Sequence, residues 1–364
     1  MKKEKKKEIK IILTGGGTAG SVMPLVAVYQ ELKQRKVDTD FLFIGTKKGP
    51  EKKITSFYNI SFKNIPAGKL RRYLSIKNLT DPVNILKGYK QARDILKITQ
   101  PDIVFSAGGY VAVPVIWAAK KYNIPVIIHQ QDIRKGLANK LTEKKADKIT
   151  VTFKKSLLEF PRPKTVLTGN PIRKDILSGT KKKACEIFCL KKDLPILLVL
   201  GGGTGALKIN KVINKIAGQL VKNFQIIHLT GQGKKDAGIN HENYKSFEFL
   251  TSNMNHALAA ADLVVSRAGL CALSELSALG KPAIIIPIFN SHQEENARFY
   301  EKENAVFVIR ENLLNPKLLL SSIKGLLTHK RKLNELSQNI KSFYQVKASS
   351  KVADLILAVI NNNF

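Results

Sequence analysis

Two glycine-rich stretches, Gly15-Gly16-Gly17-Thr18-Ala19-Gly20 and Gly201-Gly202-Gly203-Thr204-Gly205-Ala206, have the residue types and spacing for chemistry at a phosphate or sugar. Glycines at a strand-to-helix turn let backbone N–H groups and a helix N-terminus approach such a ligand closely. Both stretches also fit the G-x-G-x-x-G/A spacing of dinucleotide sites. That reading needs an acid about 20 residues on, at the end of the next strand, to hold ribose hydroxyls. Here those strand ends read Ile44-Gly45-Thr46 and Thr230-Gly231-Gln232, without an acid. A nicotinamide or flavin is therefore not expected, and no cofactor is implied. Tight turns without a ligand remain the plain alternative.

A second constellation lies in the latter half, where Ser266-Arg267-Ala268-Gly269-Leu270-Cys271-Ala272-Leu273-Ser274-Glu275 follows an apolar strand at 263–265. Gly269 suits the turn, and Glu275 falls in the first turn or so of the next helix. A carboxylate there can accept two hydrogen bonds from the vicinal hydroxyls of a ribose, the chemistry of nucleotide-sugar recognition. It can also simply complement the helix dipole. Further on, His292-Gln293-Glu294-Glu295-Asn296 offers polar partners for sugar hydroxyls, or a wet loop. No metal site is expected. Asp38-Thr39-Asp40 precedes its strand, the wrong end for ligation, and reads as a solvated turn. Cys185 and Cys189 could share a helix face, but no second pair or nearby His completes a zinc set.

The elements that must position these groups show an internal echo. Ile11-Ile12-Leu13-Thr14 before the first glycines is answered by Leu197-Leu198-Val199-Leu200 before the second. Each run reads as a buried parallel strand, followed by a helix at 25–33 or 209–221. Further apolar runs at 41–44, 103–105, 126–128, 226–229, 263–265 and 283–286 alternate with helical stretches. The fold class is α/β, two Rossmann-like domains, with a ligand expected in a cleft beyond their strand ends. The expected boundaries are a basic tail over 1–8, an N-terminal domain over 9–170, a linker over 171–180, a C-terminal domain over 181–345 and a helix over 346–364 that could pack on either.

Composition bounds the partners. The chain has 364 residues, with 44% hydrophobic and 24% charged, ordinary for folded domains. Sixty-one Lys+Arg against 28 Asp+Glu give a formal charge of +33, which points to anionic partners: nucleic acid, acidic lipid or phosphorylated substrates. Nucleic acid is disfavoured because the lysines are dispersed over both halves and no aromatic-basic stacking motif appears. Three cysteines without framework spacing fit a reducing compartment. The strongest apolar stretch, 111–119, is too short to span a bilayer. Leu70-Arg71-Arg72-Tyr73-Leu74-Ser75-Ile76-Lys77-Asn78-Leu79 mixes apolar anchors with cations, the composition of an interfacial patch on anionic lipid or of a core-facing helix with a solvated side. Peripheral attachment at the cytoplasmic face of the membrane is the expectation.

The order of the first glycine stretch, Ser106-Ala107-Gly108-Gly109-Tyr110, His129-Gln130-Gln131-Asp132, Gly169-Asn170-Pro171-Ile172-Arg173, the second glycine stretch, Ser274-Glu275 and His292-Gln293 resembles the MurG family of peptidoglycan glycosyltransferases over nearly the whole chain. The resemblance implies a GT-B fold with lipid-acceptor binding in the N-terminal domain and UDP-sugar binding mainly in the C-terminal one. It implies transfer of N-acetylglucosamine from UDP-N-acetylglucosamine to the C4 hydroxyl of undecaprenyl-diphospho-muramoylpentapeptide, with inversion. Carried over by motif, Arg173, Gly203, Thr204, Leu250, Thr251, Leu270, Cys271, Ala272, Leu273, Ser274, Glu275, His292 and Gln293 would surround the donor. Thr18, Ala19 and Gly20 would lie at the reaction centre.

Three departures bear on mechanism. Ser21 stands where the family carries a His, its usual base candidate; His129-Gln130-Gln131-Asp132 replaces His-Glu-Gln-Asn; and Gly203 replaces a Ser. Asp132 is the first candidate for the base and His129 the second. The alternative for Asp132 is a sugar or loop hydrogen bond, as made by the Asn it replaces. Without a metal motif, leaving charge falls to helix N-termini, backbone N–H groups and Arg173, and the first-loop amides could serve the acceptor diphosphate likewise. The alternative function is a related transferase with another lipid acceptor, such as a diacylglycerol.

Overall fold

A computed structural model describes residues 8–68, 77–201, 206–234 and 239–361, with side chains of 77–80 left aside. Interior strands of a parallel sheet are covered by helices on both faces and so read as unbroken apolar runs rather than alternating ones. The chain does this twice. The first sheet holds β1 (Ile9–Thr14), β2 (Thr39–Gly45), β3 (Ser61–Asn64), β4 (Ile103–Ser106), β5 (Val126–Gln130), β6 (Lys148–Val151) and β7 (Thr165–Leu167). The second holds β8 (Ile196–Leu200), β9 (Gln225–Leu229), β10 (Tyr244–Phe247), β11 (Leu263–Ser266), β12 (Ala283–Ile285) and β13 (Phe307–Val308). Their orders, β3-β2-β1-β4-β5-β6-β7 and β10-β9-β8-β11-β12-β13, follow one plan with every described pairing parallel. In both, the order reverses beside the first strand, so the topological switch point lies between β1 and β4 and between β8 and β11.

The first unit carries α1 (Met23–Gln34), α2 (Glu51–Phe57), α3 (Lys77–Thr99), α4 (Ala112–Lys121) and α5 (Leu137–Thr142); the second carries α6 (Lys181–Phe188), α7 (Leu207–Leu220), α8 (Met254–Ala260), α9 (Leu270–Leu279), α10 (Gln293–Lys302), α11 (Pro316–Thr328) and α12 (Lys330–Lys341). In the first core, Ile12, Val104 and Ile128 pack under Val115, Ile116 and Ala119 of α4. In the second, Leu197, Val199 and Val265 pack under Ile209, Ile213 and Ile216 of α7. Each such aliphatic side chain contributes roughly 1.5–3 kcal/mol by leaving water.

The chain divides at Arg173/Lys174, and residues 347–361 return to the first unit. There α13 (Ala348–Ile360) packs on α1, and the Arg35 guanidinium bonds Asp354 and the Ser350 hydroxyl. Residues 174–178, inside the span expected to be linker, form a 3-10 helix against α8. Thr39 and Asp40 open β2 instead of forming a turn, at the end of the sheet away from the glycine loop. The strands β3, β6, β7, β10 and β13 were not expected, because they are short and carry polar or isolated residues. Residues 70–76 of the expected interfacial segment, and Gly203 and Thr204, lie outside the described residues. Among the described residues no helix is long and apolar enough to cross a membrane.

Candidate active site

In the first unit three loops meet at the switch point. After β1, Gly17 turns with φ +87°, and after β4, Gly108 and Gly109 turn with φ +85° and +88°. The turns touch through backbone: a Cβ on Gly109 would lie 2.5 Å from the Gly16 carbonyl oxygen, and one on Gly17 2.7 Å from the Tyr110 ring. Thr18 is exposed while Ala19 and Gly20 are half-buried in a single 3-10 turn that leads into α1. Ser21 is buried, and its hydroxyl turns back into the same loop, toward the carbonyls of Gly16 (3.2 Å) and Thr18 (3.1 Å). The Gly17 N–H donates to the Glu51 carboxylate, so this amide, expected as a donor to the acceptor diphosphate, is already committed within the protein.

The third loop, after β5, carries Asp132, which is half-buried. Gln130 shapes it. Its Nε2 donates to the carbonyls of Asp132 (2.8 Å) and Arg134 (2.7 Å), while its Oε1 accepts from Gly136 N–H (3.2 Å) and Asn139 Nδ2 (2.8 Å). Gln131 ties the loop to the β4 turn by donating to the Ala107 carbonyl at 3.3 Å. Asn139 also donates to the His129 carbonyl at 3.1 Å, and its Oδ1 is buried with no hydrogen-bond partner among the described residues.

His129 departs from expectation. It is fully buried, with Nδ1 2.8 Å from the Thr150 hydroxyl and Nε2 3.0 Å from Asn170 Oδ1. An amide oxygen only accepts, so Nε2 carries the proton and Nδ1 accepts from Thr150. Burial pushes the imidazole down to about 4. With both nitrogens engaged, none is left to take a substrate proton. Its role is corrected to that of a neutral strut between β5, β6 and the segment after β7. Arg173, expected on the donor, belongs to the first unit; it is buried, and its Nη1 donates to the Tyr58 hydroxyl at 2.8 Å.

In the second unit, β11 leads through Gly269 into α9, whose N-terminus has no side-chain cap. No side chain closes the first turn of α9, and the backbone N–H groups of a helix start favour anions. Glu275 sits one turn further along than expected and is 8% exposed, with Cys271 Sγ 3.9 Å from its Oε1. Leu270 and Leu273 face the core, Ser274 is buried, and Cys271 and Ala272 are half-buried. Leu250 and Thr251 are half-buried in the connection between β10 and α8. His292 is exposed at the start of α10, and Gln293 Oε1 accepts from the Ile288 N–H at 3.2 Å.

The residues that brace this turn were not singled out for that role. Asn296, fully buried on α10, donates to the Ala268 carbonyl at 3.1 Å. Arg267 donates to the Ile286 carbonyl (3.1 Å) and to Glu311 (2.6 Å), whose other oxygen accepts the Phe289 N–H at 2.9 Å. Burial alone would raise the Glu311 carboxyl, but the Phe289 amide and Arg267 prevail and hold it below its ordinary value. Deeper, His228 repeats the His129 pattern, with Tyr244 OH at 2.6 Å and Asn210 Oδ1 at 3.1 Å, and burial takes it to about 4 as well. The only sequence signals for these braces are a polar side chain at the end of an apolar strand and a polar residue inside an otherwise apolar helix face.

Comparison with known proteins agrees with this architecture. Residues 11–151 match the glycosyltransferase family 28 N-terminal domain and residues 196–355 its C-terminal domain. A UDP-N-acetylglucosamine--N-acetylmuramyl-(pentapeptide) pyrophosphoryl-undecaprenol N-acetylglucosamine transferase of Lachnoclostridium phytofermentans is 41% identical over 356 residues, 96% of this chain and 97% of that protein. A protein of the same name from Clostridium perfringens strain SM101 is 41% identical over 339 residues, 92% of this chain and 94% of its own. Among solved structures, Acinetobacter baumannii MurG superposes with a TM-score of 0.68 at 24% identity, covering 96% of this chain and 99% of that one. A UDP-GlcNAc 2-epimerase from Neisseria meningitidis reaches 0.71 at 16%, covering 96% and 100%. At those identities the structures speak for the GT-B fold alone, whereas the match in sequence decides the kinship: the chain is a glycosyltransferase and belongs to family 28, within the group of UDP-N-acetylglucosamine--N-acetylmuramyl-(pentapeptide) pyrophosphoryl-undecaprenol N-acetylglucosamine transferases.

Proposed function

We propose that the chain transfers N-acetylglucosamine from UDP-N-acetylglucosamine to the C4 hydroxyl of undecaprenyl-diphospho-muramoylpentapeptide, inverting the anomeric centre. The observation that carries this reading is 41% identity sustained over 96% of the chain to a transferase of that name. The second unit takes the donor. Glu275 holds the ribose hydroxyls, and the uncapped first turn of α9 meets the diphosphate charge that grows as the glycosidic bond breaks. Leu250, Thr251 and Gln293 border the nucleotide sugar. The first unit takes the acceptor at Thr18, Ala19 and Gly20.

Asp132 is the group proposed to accept the C4 hydroxyl proton. It sits on the loop after β5, the strand next to β4 at the switch point, and Gln130 holds the loop's backbone in place. General-base assistance is worth about 10²–10⁴-fold in rate. Attachment to anionic membrane at its cytoplasmic face completes the proposal. It is supported by the formal charge of +33 and by exposed Val83 and Leu86 on α3 and Trp117 on α4. Transfer of labelled sugar to purified undecaprenyl-diphospho-muramoylpentapeptide, with diacylglycerol as competing acceptor and no added metal, tests the reading. Label in diacylglycerol alone, or activity that EDTA abolishes and Mn²⁺ restores, would overturn it.

A further inference from the structure

Within Lys47-Lys48-Gly49-Pro50-Glu51-Lys52-Lys53, the single acid is fully buried at the start of α2. A charged or polar side chain in that setting needs compensation, since an unpaired buried polar group costs several kcal/mol. Glu51 finds it in the glycine loop 34 residues earlier. Its carboxylate accepts the Gly17 N–H, and both oxygens lie 3.1 Å from the Thr46 hydroxyl, which in turn accepts the Gly49 N–H at 3.0 Å. Glycines surround it for a steric reason. A Cβ on Gly16 would come 1.9 Å from one carboxylate oxygen and a Cβ on Gly49 1.8 Å from the other. The end of β1, the end of β2 and the start of α2 are thus shaped around this one side chain.

The clamp acts where the backbone must turn. Gly17 has a positive φ, and the next residues are Thr18, Ala19 and Gly20. We propose that Glu51 is a positioning residue for the acceptor: by fixing Gly17 it sets the path of Thr18–Gly20 and so the place of the acceptor sugar. This rests on the reading that the first loop receives the acceptor. Because a misplacement near 1 Å can cost about 100-fold in turnover, loss of the clamp is read in acceptor kinetics before it is read in donor binding.

Three variants of the full chain test it: Glu51→Ala, Glu51→Gln and Gly49→Ala. Glu51→Ala is expected to lower kcat/KM for the lipid acceptor by about 10- to 100-fold, with the Kd for UDP-N-acetylglucosamine within about twofold of wild type. Glu51→Gln keeps an oxygen for Gly17 and an N–H for Thr46, and should retain most activity. Gly49→Ala leaves residue 51 intact but displaces its carboxylate, and should resemble Glu51→Ala; it also decides the matter if Glu51→Ala does not fold. Wild-type acceptor kinetics in Gly49→Ala and Glu51→Ala would overturn the proposal. So would donor affinity, acceptor kinetics and Tm falling together in all three. If the wild-type chain transfers sugar to no lipid acceptor, the functional reading fails instead. Amide exchange over residues 17–21 then still reports on the clamp, which is upheld by faster exchange confined to that loop in Glu51→Ala and overturned by no change.

Discussion

At the end of β1 a loop amide is already taken by a carboxylate of its own unit, whereas at the end of β11 the helix α9 begins at Gly269 with no side-chain cap. The position of the switch point is the same in both units, and so is the strand order apart from the seventh strand of the first sheet. The difference lies in where the polar partners come from. The first unit satisfies its loop from within, through Glu51, Ser21 and the neighbouring glycine turn, which suits the proposed role of that loop in receiving the acceptor. The second unit braces its turn from behind, through Asn296 and the Arg267–Glu311 pair, and puts no side-chain cap on the helix start, where the donor diphosphate is proposed to bind. A shared topology thus specifies where a site lies, and the side chains around it specify what charge it takes.

The largest expected effect breaks the second site alone. Glu275→Ala should raise the KM for UDP-N-acetylglucosamine by about 30- to 1000-fold, the equivalent of ~2–4 kcal/mol for two hydrogen bonds to a charged acceptor. Acceptor KM should stay within about threefold, as measured by steady-state transfer with each substrate varied in turn. An unchanged donor KM would remove Glu275 from the ribose and with it the proposed division of labour.

The first site is probed by Asp132→Asn, which should lower kcat about 100-fold with donor KM little changed, because a base acts in the transition state. Wild-type turnover in this variant would show that Asp132 only makes a hydrogen bond. Rescue on adding Ser21→His would indicate a base that moved between two positions of the same acceptor site.

A pH series compares the two buried histidines. Folded His129 and His228 both titrate near 4, burial being the cause, against 6.5 when unfolded. Between these values the unfolded chain binds more protons, so stability is complete above about pH 6.5 and falls as pH drops toward 4, by roughly 2 kcal/mol for each histidine at pH 5. Urea midpoints at pH 7 and pH 5 should show this loss. Replacing one histidine by Gln should lower stability at pH 7 yet halve its pH dependence, and an unaltered dependence would mean that the imidazoles are not held neutral.

The smallest effects set one glycine against another. Gly109→Ala in the first unit meets a positive φ and a backbone oxygen, and should cost about 1–3 kcal/mol. Gly218→Ala lies in α7, where an added Cβ would meet nothing within 4 Å, and should stabilise by roughly 0.5–1 kcal/mol. Thermal melts of both measure how much the packed turn of the first switch point costs relative to an open helix position.

Much of this molecule is written locally. Runs such as Ile11-Ile12-Leu13 and Leu197-Leu198-Val199 announce strands buried on both faces, and glycines directly after them announce turns at strand ends, because apolar periodicity and backbone freedom act over a few residues. The helix that carries Glu275 was legible for the same reason, because it follows such a turn. Edge strands such as β3 were not, being short and polar, nor was the docking of α13 on α1, whose partners lie more than 300 residues apart. The identity of a side chain's partner is decided only once the sheets assemble. Glu51 reads as one acid among lysines until β1 and β2 lie side by side and bring Gly17 to it. His129 reads as a candidate base until β6 and the segment after β7 close over it, engage both its nitrogens and exclude the water that would let it take a proton.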